Sequence, residues 1–239
     1  MKNRILVFLS LSLMIFIASS CIYIGNSITG NGNVVEQTRK MAMFDEIKVS
    51  RGMNVYITQG DGTKVVVRAD ENLLNVIKTE VNNSTLKITT TENIRKSTSK
   101  KVLVTIPKIK GVSASAGSNV FSENTLESKF INISGSAGSN VKLTVKSEEL
   151  KISSSAGSNI YLEGSARIFS GKASAGANIK AENLKTLNCN ASVSSGANIW
   201  INVSENLEGK ASSGGNIFYY GNPKSTTTEK SSGGNVIEK

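Results

Sequence analysis

Histidine is absent from this sequence, and its three aspartates, Asp45, Asp61 and Asp70, all fall in the first third of the chain. Without imidazole there is no Ser–His or Cys–His nucleophile, no histidine metal cluster and no use of the commonest general base. Glycan cleavage would need paired carboxylates, or calcium held by acidic oxygens. Within the repeats, Glu123, Glu163, Glu182 and Glu205 fall in the connections at changing offsets from a recurring Gly-x-Asn and read as solvated edges, not as an acid and its base. Asparagine-rich turns offer carbonyl oxygens to calcium, but the acidic positions of calcium-binding nonapeptide repeats are missing. Cys189, set in Leu187-Asn188-Cys189-Asn190-Ala191, reads as a buried core thiol. The expectation is no catalytic residue, no metal and no cofactor.

Cys21 is the one residue whose setting implies a covalent reaction. Lys2 and Arg4 give a positive start, Ile5 to Ile17 an apolar stretch too short for an ordinary spanning helix, and Ala18-Ser19-Ser20 small residues at a cleavage point. Residues 1–20 thus resemble a bacterial lipoprotein signal, with Ala18 where leucine is more usual, and Cys21 is the expected lipidation site. The rival reading is a plain secretory signal with an incidental cysteine. Residues 21–33, rich in glycine and asparagine, read as a flexible tether.

The elements that must position everything else are written in a repeat. Gly117 and Asn119 recur as Gly138 and Asn140, Gly157 and Asn159, Gly176 and Asn178, Gly196 and Asn198, Gly214 and Asn216, and Gly233 and Asn235. The asparagines are 21, 19, 19, 20, 18 and 19 residues apart, the length of one coil of a solenoid. A fixed glycine marks a turn with positive φ, and asparagine is the next residue to tolerate left-handed geometry. Alternating β-branched runs flank each turn, as in Val141-Lys142-Leu143-Thr144-Val145. Three or so short strands per coil, stacked about 4.8 Å apart, make an all-β parallel β-helix with coils of about 19–20 residues and the asparagines in amide ladders. An antiparallel sandwich whose hairpins share one turn sequence is the competing arrangement. Residues 111–239 hold the regular repeats.

Residues 34–110 are β-rich without plain periodicity. Strands are expected at Phe44–Val49, Asn54–Thr58, Lys64–Arg68, Thr85–Thr90 and Lys101–Ile106, a helical turn or two at Asn72–Val81, and an exposed loop at Glu92–Lys101. Ser50-Arg51-Gly52-Met53-Asn54-Val55 looks like a divergent first repeat, and the 65 residues from Asn54 to Asn119 leave room for about three worn coils.

The lipoprotein-like start, the opening Phe44-Asp45-Glu46-Ile47-Lys48-Val49-Ser50, the strand Leu86-Lys87-Ile88, the step Ile106-Pro107 and the serial Gly-x-Asn-Ile/Val turns together resemble the head-GIN-domain family of auto-transporter adhesins, common in Bacteroidota. The resemblance implies a right-handed β-helix of the cell envelope, an outer-membrane lipoprotein facing either the periplasm or the exterior. It carries no binding residue across. The formal charge of +10, or +8 once Lys2 and Arg4 leave with the signal, sits on scattered lysines with no basic cluster interleaved with aromatics, which argues against nucleic acid. Glycans or other anionic envelope components are the expected partners besides the membrane. A non-enzymatic adhesin or scaffold is the leading reading. A carbohydrate-active β-helix enzyme and a periplasmic lipid- or glycan-binding protein are the others, and oligomeric state is open.

Overall fold

The computed structural model describes residues 27–239; the expected signal segment, Cys21 and the first part of the expected tether lie outside the described residues. The first half carries β1 (Ser27–Thr29), β2 (Val34–Arg39), β3 (Glu46–Val49), β4 (Asn54–Gln59), β5 (Lys64–Asp70), β6 (Ile77–Asn82), β7 (Thr85–Thr90), β8 (Asn93–Lys96) and β9 (Lys100–Ile106). The second half carries β10 (Gly111–Ala114), β11 (Asn119–Ser122), β12 (Leu126–Gly135), β13 (Asn140–Ser154), β14 (Asn159–Ala173), β15 (Asn178–Val193), β16 (Asn198–Ala211), β17 (Asn216–Tyr220), β18 (Ser225–Lys230) and β19 (Asn235–Glu238).

From β10 onward every pairing is parallel and joins one coil to the next, so the chain is a parallel β-helix and not a sandwich. The middle coils are each one long bent strand and one tight turn. Alternation does the sorting: along Asn159-Ile160-Tyr161-Leu162 the even-numbered side chains Ile160 and Leu162 point in, and Tyr161 points out. Stacking in register then puts like on like, and Val120, Val141, Ile160, Ile179, Ile199 and Ile217 form one wholly buried column. Each such side chain contributes about 1.5–3 kcal/mol of burial. Cys189 lies in this core beside Phe169 and Leu207, and burial pushes its thiol far above the usual range. In a Cys21→Ser chain, where Cys189 is the sole thiol, Ellman's reagent is expected to find nothing until denaturant is added; ready labelling of the native protein would place the thiol outside the core.

The turns have a geometry the sequence reading had only in part. At Ser155-Ala156-Gly157-Ser158 the amide of Ser158 donates to the carbonyl of Ser155 at 3.2 Å, and φ is +48° at Ala156 and +68° at Gly157. Two left-handed central residues are the mark of a type I′ turn. The left-handed partner of each glycine is thus the residue before it, never the asparagine, which begins the next strand.

The first half departs from a worn solenoid. Asn54 pairs directly with Asn119, so the residues between them are not three coils. Instead β3 and β4 form one coil, with the same turn at Arg51 and Gly52, stacked under β10 and β11. On its other side lie β7 and β9, the last parallel layer. Antiparallel β6 pairs with β7, and antiparallel β5 with β9 and β2, closing an end that would otherwise be an open edge. The helix expected at Asn72–Val81 is a single 3₁₀ turn at Glu71–Leu73 followed by β6. Leu73, Val76 and Ile77 imitate helical spacing because all three face the same core. The expected loop at Glu92–Lys101 contains β8, paired in parallel with β1.

The tether expected over residues 21–33 is therefore fixed from Ser27 on. Asp70, wholly buried, accepts the amides of Gly32 at 3.1 Å, Thr98 at 3.2 Å and Ser99 at 2.8 Å. Burial alone would raise this carboxyl; the amide donors outweigh it and hold it below the usual carboxylate range. A side chain at residue 30 would collide with that carboxylate, which is why Gly30 has none.

Candidate ligand-binding face

Each turn launches a strand whose second residue after the asparagine points to solvent. Stacking brings Tyr56, Phe121, Lys142, Tyr161, Lys180, Trp200 and Phe218 into one outward column, in that order along the axis. Tyr56 and Phe121 stack with ring centroids 5.2 Å apart and planes 25° from parallel; Trp200 and Phe218 stack at 5.2 Å and 20°. Those separations follow the coil spacing, so the rings stand up from the sheet with their faces along the axis. Between the pairs, the Lys180 ammonium lies 5.1 Å from the Tyr161 ring and 5.8 Å from Trp200, within cation–π range of both.

The asparagines border this column. Asn54, Asn119, Asn140, Asn159, Asn178, Asn198, Asn216 and Asn235 form an amide ladder in which each Nδ2 donates to the Oδ1 of its neighbour at 2.9 to 3.2 Å. The ladder pins the strand that carries the column. Gly117, Gly138, Gly157, Gly176, Gly196, Gly214 and Gly233, with φ between +68° and +76°, hold the turns just before it. A depression of about 400 Å³ opens midway, bounded by Phe121, Lys142, Tyr161, Glu163, Lys180 and Glu182.

The carboxylates do not converge. Asp45 pairs with Lys110 at 2.6 Å, Glu163 with Lys142 at 3.9 Å, and Glu205 with Lys224 at 2.8 Å. Glu182 is not the solvated edge expected of it: its Oε2 is shielded from solvent and meets no hydrogen-bond partner among the described residues. No group of three or more metal-ligating side chains occurs among the described residues. A larger depression, about 900 Å³, runs along a different corner past Glu127, Lys146, Glu148, Arg167 and Lys185. Two of its cations are paired, Lys146 with Glu127 at 3.5 Å and Arg167 with Glu148 at 3.1 Å.

Sequence reasoning missed the column. It found no aromatics interleaved with basic residues because it looked along the chain, whereas Tyr161, Lys180 and Trp200 are neighbours across coils. The signal was present at the second position after each asparagine, once the repeats are aligned by that residue.

A family model described as "Putative auto-transporter adhesin, head GIN domain" matches residues 43–223. Among solved structures, a "putative adhesin" from Bacteroides fragilis superposes with TM-score 0.82 at 24% identity, covering 88% of this chain and 99% of that one. A "putative lipid binding protein" from Parabacteroides distasonis gives 0.74 at 20% identity, covering 90% and 100%. A "putative adhesin" from Parabacteroides merdae gives 0.74 at 18% identity, covering 90% and 99%. At these identities the likeness is one of fold. No curated protein matches the sequence.

Proposed function

The chain belongs to the head-GIN-domain family, and from that premise we propose that it is a non-catalytic adhesin or scaffold of the bacterial cell envelope, anchored to the outer membrane through lipidated Cys21, that holds anionic glycan on its outward aromatic and lysine column. The observation that carries the reading is the column itself, continuous over successive coils and bordered by the amide ladder. A repeated surface of this kind suits a repeated polymer, since each coil offers the same footing about 4.8 Å further on. Asp45, Glu163 and Glu205 are held in ion pairs and Asp70 by backbone amides, and the unpartnered Glu182 has no second carboxylate shown paired with it, which supports binding without turnover.

A panel of neutral and acidic polysaccharides, offered to the Cys21→Ser chain with reducing-end release followed in parallel, tests this. Retention of acidic polymers without cleavage is expected. Because exposed charges are screened beyond about 8 Å at physiological ionic strength, that retention is expected to fade by about 0.5 M salt. Cleavage, or retention of neutral polymers alone, would overturn the reading.

The anchor has its own test. Metabolic labelling with an alkyne fatty acid is expected to mark the native chain and leave Cys21→Ser unmarked; equal labelling of the two removes Cys21 from the proposal.

A further inference from the structure

Lys142 and Lys180 occupy the same column two coils apart, with Tyr161 between them. At about 4.8 Å per coil, their stems rise from the sheet about 10 Å apart. That is close to the advance of one disaccharide in an extended β-1,4- or β-1,3-linked chain, in which every second sugar turns the same side to a surface. Resting on the glycan reading above, we infer that the column takes a linear uronate-containing polysaccharide lying along the helix axis, with successive carboxylates of one side on Lys142 and Lys180.

The column's own packing argues for charge, not sugar stacking, as the recognised feature. Carbohydrate rings usually lie flat on exposed aromatic faces, but here Tyr56 faces Phe121, Trp200 faces Phe218, and Lys180 covers Tyr161 and Trp200. What remains for a ligand is ring edge, the ammonium groups and the unused amide hydrogens of the asparagine border. Glu163, 3.9 Å from Lys142, is an exposed and therefore weak competitor for that ammonium. The Tyr161 and Trp200 rings flank the Lys180 ammonium, and the two lysines are carried on one laddered sheet. A ligand carrying two matched carboxylates therefore gains from both at the entropy cost of one.

Trp200 is the sole tryptophan and packs against Phe218 and Lys180, so its emission reports on this column. In low salt, the Cys21→Ser chain is titrated with hyaluronan-type disaccharide, which has one carboxylate, and tetrasaccharide, which has two. Neutral cello-oligosaccharides, single-stranded DNA and anionic phospholipid vesicles serve as rivals. The tetrasaccharide is expected to bind about tenfold or more tightly than the disaccharide, by the effective concentration of the second contact. Lys180→Gln and Lys142→Gln are each expected to erase that length step while leaving the fold intact. Glu163→Gln, which frees Lys142, is expected to tighten the tetrasaccharide about twofold. Equal affinity for the two lengths, or a length step that survives Lys180→Gln, overturns the spacing while leaving acidic-polymer binding standing. Tighter binding of DNA, vesicles or the neutral oligosaccharides replaces the occupant altogether. Failure of every acidic polymer in the preceding panel sinks the glycan reading itself.

Discussion

Replacing Gly164 with alanine is expected to lower the stability of the protein by about 2–6 kcal/mol, the sum of a strained backbone and a steric overlap each worth about 1–3. Gly164 sits where β14 rounds a corner with φ at +109°, outside the left-handed well that side chains tolerate. A β-carbon there would overlap the carbonyl oxygen of Val145 in the neighbouring coil, which is backbone and cannot rotate away. Gly157 is the matched control. Its φ is +68°, within reach of ordinary residues, and a β-carbon there meets nothing within 4 Å. Gly157→Ala should therefore cost only about 1 kcal/mol, and Gly157→Val about 1–3. Gly233→Val, in the last coil with one neighbour in place of two, should cost less than Gly157→Val. Urea midpoints at constant slope rank the four variants; a Gly164→Ala protein as stable as Gly157→Ala would mean that the corner can relax.

Asp70→Ala should be nearly as damaging but differently distributed. It strands the amides of Gly32, Thr98 and Ser99 in a buried site, at about 1–3 kcal/mol for each unsatisfied group before the loops relax, so a loss of about 3–5 kcal/mol is expected. The damage should appear as faster amide exchange in residues 27–33 and 97–99, with the coils beyond β10 still protected, because solenoids lose order locally. The pH dependence has a definite sign. Asp70 is held below its ordinary range in the fold, so its contribution is complete above the unfolded value near about 4 and is lost as pH falls through the lower folded value. The wild-type protein should therefore lose this lock only in strong acid, and Asp70→Asn should flatten that part of the profile. Uniform exchange along the whole chain in Asp70→Ala would show that the cap and the solenoid unfold together.

The solenoid was legible because its information is periodic. A glycine every 19 residues or so, with Ile or Val three positions on, states both the turn and the buried column. The first half was not legible for the opposite reason. Which strand β4 sits beside is decided by contacts 65 residues apart, and β5 and β6 run antiparallel only because the stack needs an end. Leu73, Val76 and Ile77 show the ambiguity in miniature, since helical spacing and a bend into a shared core look alike in one dimension. The outward column failed to register for a further reason. Tyr161 and Lys180 are ordinary surface residues until the register sets one upon the other. Even Ala156 was hidden, because a left-handed alanine is tolerated only where the carbonyl and amide of the turns above and below are already paired, as the Gly157 amide is to the Ala175 carbonyl at 3.1 Å.

Two basic surfaces compete to be the one that binds, and reversing charge on each in turn separates them. The measurement is retention of the Cys21→Ser chain on an immobilised uronate polymer, comparing Lys142→Glu/Lys180→Glu on the aromatic column with Lys146→Glu/Lys185→Glu at the corner groove. Both pairs change the net charge equally, so a non-specific attraction would weaken equally in the two. The predicted result is loss of retention in the column variant and near-native retention in the groove variant; the reverse pattern, or equal loss in both, would contradict a binding face built on Tyr161, Lys180 and Trp200.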